Sequence, residues 1–175
     1  MKTRGKLLLV LLAAVILLYA VFVLKVFDSV SFENGLNKIE SMEKGIGFTG
    51  LVPEEKQKLK DYQLELTDIE TEFSGKNQNK DLKALNYLID VKKELILMKL
   101  NLIELEETNN CSERIELIDS VRSSAISARD SINNYITNYS DFSEKTEEFN
   151  SDVLDTTSSV IISFKKLRED AVENC

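Results

Sequence analysis

Apolar residues in this chain fall into one unbroken run and then into several periodic stretches. The run comes first. Residues 7–24, LLLVLLAAVILLYAVFVL, contain no charge and no glycine. As a helix these 18 residues reach about 27 Å, and counting on to Phe27 gives about 31 Å, the thickness of a hydrocarbon core. Lys25 can snorkel to the interface. Residues 7–27 are therefore expected to form a transmembrane signal anchor, with residues 1–6 as a short cytoplasmic tail.

Periodicity takes over after the run. Residues 28–52 are expected to be a connector. Leu36, Ile39, Met42 and Ile46 suggest a short amphipathic helix within it, and Gly45, Gly47 and Gly50 form a Gly-rich joint. Pro53-Glu54-Glu55 suits a helix start, where proline loses no hydrogen bond and acids meet the positive dipole end. Leu59, Tyr62, Leu66, Ile69 and Phe73 then make one apolar stripe that ends at Gly75.

A second helix is predicted from Asp81 to Glu107. Its columns are Leu82, Ile89, Ile96 and Ile103, then Leu88, Leu95 and Leu102, then Val91, Met98 and Leu105. Such a wide apolar face belongs to a central helix. A third helix, capped by Ser112, carries the seam Ile118, Val121, Ala125, Ala128, Ile132 and Tyr135. A fourth is expected to start at an Asp141/Glu144 capping box and to bury Phe142, Phe149, Val153, Val160, Phe164, Leu167 and Ala171.

The predicted fold class is all-α: an N-terminal transmembrane helix followed by an up-down antiparallel bundle of about four helices over residues 53–175. Short connections make successive helices antiparallel neighbours. The same seams would serve a coiled-coil dimer.

Charge fixes the expected orientation. The chain has 175 residues and a formal net charge of −8. Lys2, Arg4 and Lys6 precede the apolar run, and all 30 acidic residues follow it. This favours a single-pass protein of the cell membrane, N-terminus cytoplasmic and bulk extracytoplasmic. Two other readings stay open: secretion after cleavage near Ser29-Val30-Ser31, and a pilin-like surface subunit with Arg4-Gly5 before the apolar helix. A pilin-like run would carry a Glu, which is missing here.

Composition removes whole classes of chemistry. With no His, the chain can build neither a Ser-His-Asp triad nor a His-ligated metal site. Net negative charge argues against nucleic acid as a partner. No phosphate loop, Ca²⁺ loop or CxxC is present. No enzyme activity, cofactor, metal or catalytic residue is expected.

Cys111 and Cys175 are the only cysteines. In an antiparallel pair, the start of the third helix meets the end of the fourth. The fold thus brings them together, and a structural disulfide is expected between them. The pair is offset from perfect register by about six residues, roughly 9 Å of helix rise, so a later start to the fourth helix, or an uncoiled C-terminus, would be needed. Asn110 and Asn138 open two possible glycosylation sequons. Lys92 and Lys99 fall between apolar columns, where packed stems with ammoniums at the edge are expected. Tyr62, Tyr87, Tyr135 and Tyr139 could line a pocket between helices, but Tyr62 and Tyr135 fall on seams, which favours core packing.

These readings point to a membrane-anchored extracytoplasmic bundle that works as a binding or scaffolding module. Its partners would be the lipid bilayer, through residues 7–27, and a second protein or a second copy. The alternative is a ligand-binding, sensor-like bundle acting with a membrane partner. That alternative requires an interhelical pocket near Tyr62, Tyr87 or Lys92, where the other requires a solid core.

Overall fold

The computed structural model describes residues 31–43, 55–74 and 79–174. The predicted anchor, most of the connector and Cys175 lie outside them. Among the described residues no helix is long and apolar enough to cross a membrane.

Five helices carry the described chain: α1 (Phe32–Glu43), α2 (Glu55–Ser74), α3 (Lys80–Glu107), α4 (Cys111–Asn138) and α5 (Glu147–Asn174). A helical turn at Ser140–Ser143 and a 3-10 turn at Glu144–Thr146 join α4 to α5. The all-helical bundle expected from the periodicity is present. One compact unit begins at Ser31, so the segment read as a connector contributes α1 to the bundle.

Ion pairs and hydrogen bonds define the directions. Glu55 pairs with Lys99, and Glu70 with Lys93, so α2 runs antiparallel to α3. Arg114 donates to the carbonyls of Leu105 and Thr108, and the Tyr87 and Tyr139 rings meet 5.6 Å apart, so α4 reverses α3. Asp119 pairs with Arg168, and Tyr135 meets Thr146, so α5 reverses α4. The first helix differs. The Phe32 amide donates to Asp81, and Glu43 pairs with Lys92, each pair 49 residues apart. A constant separation means that α1 runs parallel to α3.

The predicted stripes form the core. Leu59, Tyr62, Leu66, Ile69 and Phe73 of α2 are buried, as are Ile118, Val121, Ala125, Ala128, Ile132 and Tyr135 of α4. The small Ala125 and Ala128 let α4 lie close to its neighbours. Central α3 packs against α1, α2 and α4. Two of its predicted core residues stay half-buried, Leu95 and Leu102.

Three local expectations are corrected. The cap of α4 is Asn110, whose side chain accepts the Glu113 amide at 3.2 Å, not Ser112. Asn and Ser cap equally well, and Asn110 stands one turn before the amide that needs a partner. The Asp141/Glu144 capping box does not form; Asp141 pairs instead with Lys80 at 2.7 Å. Its place is taken by a buried polar network. The Tyr135 hydroxyl meets Thr146, Thr146 donates to Asn150, and Asn150 donates to the Ser143 carbonyl. The turn is thereby held by contacts across the α4–α5 corner, which local capping rules do not see. Finally, α5 buries Asn150, Val153 and Thr157 but no residue after them. Val160, Phe164, Leu167 and Ala171 are only half-buried; among the described residues the main helix neighbour of α5 is α4.

The Ser/Thr-rich middle of α5 stays helical. Thr157 satisfies its buried hydroxyl by donating to the Val153 carbonyl at 2.7 Å.

Candidate functional site

The half-buried state of Leu95 and Leu102 has a simple cause. Both line a groove of about 450 Å³ over central α3, with Ile96, Met98 and Lys99 from the same helix. Tyr62 of α2, Glu43 of α1 and Phe149 of α5 complete its walls. On one flank Leu95 and Leu102 pack with Val160, Ile161 and Phe164 of α5 around Met98, Val121 and Ala125. The lining is mainly apolar, with polar groups at few points. That combination, at this volume, is typical of small-molecule sites.

Polar groups concentrate at one end. The Tyr62 hydroxyl donates to Glu43 Oε1 at 3.0 Å, and Lys92 Nζ donates to the same oxygen. Lys92 also stands 4.3 Å from the Phe149 ring centroid, a cation–π contact. Burial first, and then the Glu43 carboxylate, push the Tyr62 phenol well above its ordinary value. Tyr62 therefore stays a donor. Lys92 is only 6% exposed. The expectation of an ammonium at the edge is thus corrected: it is buried, and Glu43, a carboxylate distant in sequence, makes this tolerable.

Farther along α3, Lys99 pairs with Glu55 at 2.9 Å, both side chains 15% exposed. Seven residues separate Lys92 from Lys99, about 10 Å of helix rise on one face. A smaller hollow of about 190 Å³ adjoins the first; Glu43, Lys92 and Phe149 line both. These three side chains are the partition between an apolar groove and a more polar one.

The four tyrosines separate. Tyr62 faces the groove. Tyr87, Tyr135 and Tyr139 stack at the corner where α4 turns into α5, with Phe32 and Phe142 beside them. Their role there is packing.

Cys111 opens α4, and no cysteine among the described residues is free. Its predicted partner Cys175 lies outside the described residues. Asn110 and Asn138 stand at the two ends of α4, both exposed. Asn110 uses its side-chain oxygen as a cap, and Asn138 donates to the Asn134 carbonyl at 2.9 Å. Cys111, Asn110 and Asn138 do not line the groove.

The sequence marked Tyr62, Tyr87 and Lys92 as places to look for a pocket; Tyr62 and Lys92 line the groove, and Tyr87 does not. It did not mark Glu43. The only available signal was a lysine set among apolar columns, which demands a partner without naming it.

No protein-family model matches the chain, and neither a curated protein nor a solved structure is similar to it.

Proposed function

We propose that this chain is a membrane-anchored, extracytoplasmic helical bundle that binds a small, largely apolar molecule and does so without catalysis. The observation that carries the reading is the groove over α3. It is apolar along Leu95, Ile96, Met98 and Leu102, and it ends in the Tyr62–Glu43–Lys92 cluster. A tightly packed bundle would bury Leu95 and Leu102. Leaving them only partly buried forfeits some hydrophobic stabilisation, which a ligand would restore.

Location comes from the sequence. Residues 7–27 would hold the chain in the bilayer, and the basic residues before them favour export of the rest. Export also suits a Cys111–Cys175 staple. The absence of His leaves the sequence without the commonest catalytic base.

Thermal unfolding of the full chain in phosphatidylcholine nanodiscs tests the binding claim. A ligand that binds only the folded state raises the midpoint as its concentration rises. Decanol is expected to raise the midpoint of the wild type and leave that of Leu102→Trp, with its groove filled, in place. An equal response from both chains would overturn the reading.

A further inference from the structure

We propose that the groove takes a neutral, hydroxyl-bearing amphiphile, its O–H donating to Glu43 Oε2 and its apolar body along Leu95, Met98 and Leu102. The inference rests on the ligand-binding reading above and assigns the chemical class of the ligand.

Charge is the first argument. Among the described residues, the charged side chains lining the groove are Glu43, Lys92 and Lys99. Each already has an opposite charge beside it. Glu43 and Lys92 pair with each other, and Lys99 pairs with Glu55. A charged ligand would have to break one of these pairs or be buried without a counter-ion, and both are costly. A neutral molecule leaves every pair in place.

Hydrogen bonding at the polar end then selects among neutral molecules. Tyr62 and Lys92 both donate to Glu43 Oε1. Among the described residues no donor reaches Oε2. That oxygen is not sealed from water, and the Glu43 side chain keeps 29% of its surface exposed. A ligand seated against Glu43 displaces the water that serves Oε2. It must return a donor or leave a carboxylate oxygen unsatisfied. A hydroxyl returns one. An ether of the same shape presents only lone pairs to the carboxylate.

The apolar floor runs on from that end. Leu95, Met98 and Leu102 stand three, six and ten residues beyond Lys92 on α3. An apolar body up to about 15 Å long can follow them. Val160, Ile161 and Phe164 of α5 flank the same stretch. A head at Glu43 with its chain directed toward Leu102 therefore suits both ends of the groove at once.

Three methionines make the test selective. Met98 lines the groove, Met42 lies elsewhere on α1, and Met1 is the third. Methyl-¹³C-methionine spectra of the full chain in phosphatidylcholine nanodiscs would be followed during titration with decanol, decyl methyl ether, decanoate and decylamine. Concentrations are taken as mole fraction in the lipid, and Met42 serves as the internal reference. The expected result is a Met98 shift with decanol at about ten-fold lower mole fraction than with the ether, which lacks the donor, or with either charged compound. Glu43→Leu combined with Lys92→Met removes the acceptor and its counter-charge together, and should take alcohol and ether alike. Equal potency of alcohol and ether in the wild type would overturn the hydroxyl assignment and leave the groove as an apolar site. Tighter binding of decanoate or decylamine would overturn the neutral one. A Met98 signal unmoved by all four, in a chain that is helical by circular dichroism, would overturn the ligand-binding reading itself.

Discussion

Arg168 holds Asp119 through its Nε, 2.7 Å and 3.0 Å from the two carboxylate oxygens. The pair marks the register of α4 against α5. Cys111 lies eight residues before Asp119, and Cys175 lies seven after Arg168. The mismatch of one residue is about 1.5 Å of helix rise. The sequence alone left a larger offset, because it started the last helix at Asp141. The turns at Ser140–Ser143 and Glu144–Thr146 delay α5 to Glu147, the later start that the pairing requires.

From this register, an intrachain Cys111–Cys175 bridge is expected. Non-reduced intact mass should show monomer with both thiols blocked. Cys111→Ser and Cys175→Ser should each lower unfolding free energy by on the order of 4 kcal/mol, the value for a loop of this length, and the double variant by no more. Additive losses would contradict the pairing. Arg168→Ala should cost under about 1 kcal/mol, since the ion pair is half exposed.

At Gly35, packing and helix propensity make opposite predictions. Alanine in place of glycine in a helix normally gains about 1 kcal/mol. Here a Cβ would stand 2.3 Å from a Leu85 methyl, and Leu85 is fully buried with little room to retreat. Gly35→Ala is expected to lose about 1–3 kcal/mol by overcrowding. Urea unfolding measures it, and a gain in stability would mean that α1 does not seat on α3 as described.

The Glu43–Lys92 pair should behave as a unit. Glu43→Gln strands a buried ammonium and is expected to cost about 3 kcal/mol. Adding Lys92→Met should recover most of that loss, because an apolar chain of similar length suits the same site. A double-mutant cycle in denaturant gives the coupling. Simple additivity would show that the two side chains do not share their charge.

The pH response follows from the shifted groups. Tyr62 has its folded-state value raised, by burial first and Glu43 second. The folded state therefore holds the phenolic proton more tightly. The associated stability is complete below the unfolded value of about 10 and falls as pH rises beyond it. Tyr62→Phe should flatten this alkaline loss while costing about 1–2 kcal/mol at neutral pH through the lost bond to Glu43. At the other extreme, Lys145 and Lys80 hold the carboxyls of Glu33 and Asp141 below their ordinary range. Their contributions are present above the usual carboxyl values and disappear as pH falls through the depressed ones. Circular dichroism melts across pH check both limbs.

Much of the fold was legible because its signals are local. Pro53, Gly75 and the apolar spacing between them delimit α2 within a residue or two of its observed ends. The wide apolar face of α3 marked it as central, and it is. Two features were hidden. Gly35 matters through contact with Leu85, fifty residues on, whereas Gly45, Gly47 and Gly50 drew the eye as punctuation. The groove is formed by residues of four helices, and its key pair joins positions 49 apart. Periodicity reports which face of a helix is apolar. It does not report that side chains from four helices come together around one groove.

Photoaffinity labelling tests the central claim most directly. The full chain in phosphatidylcholine membranes would be irradiated with a diazirine-bearing alkanol, digested and mapped by mass spectrometry. The account predicts adducts on the groove residues Leu95, Met98, Leu102 or Phe149, competed by unlabelled decanol and lost in Leu102→Trp. Adducts confined to residues 7–27, or scattered over the surface and not competed, would contradict it.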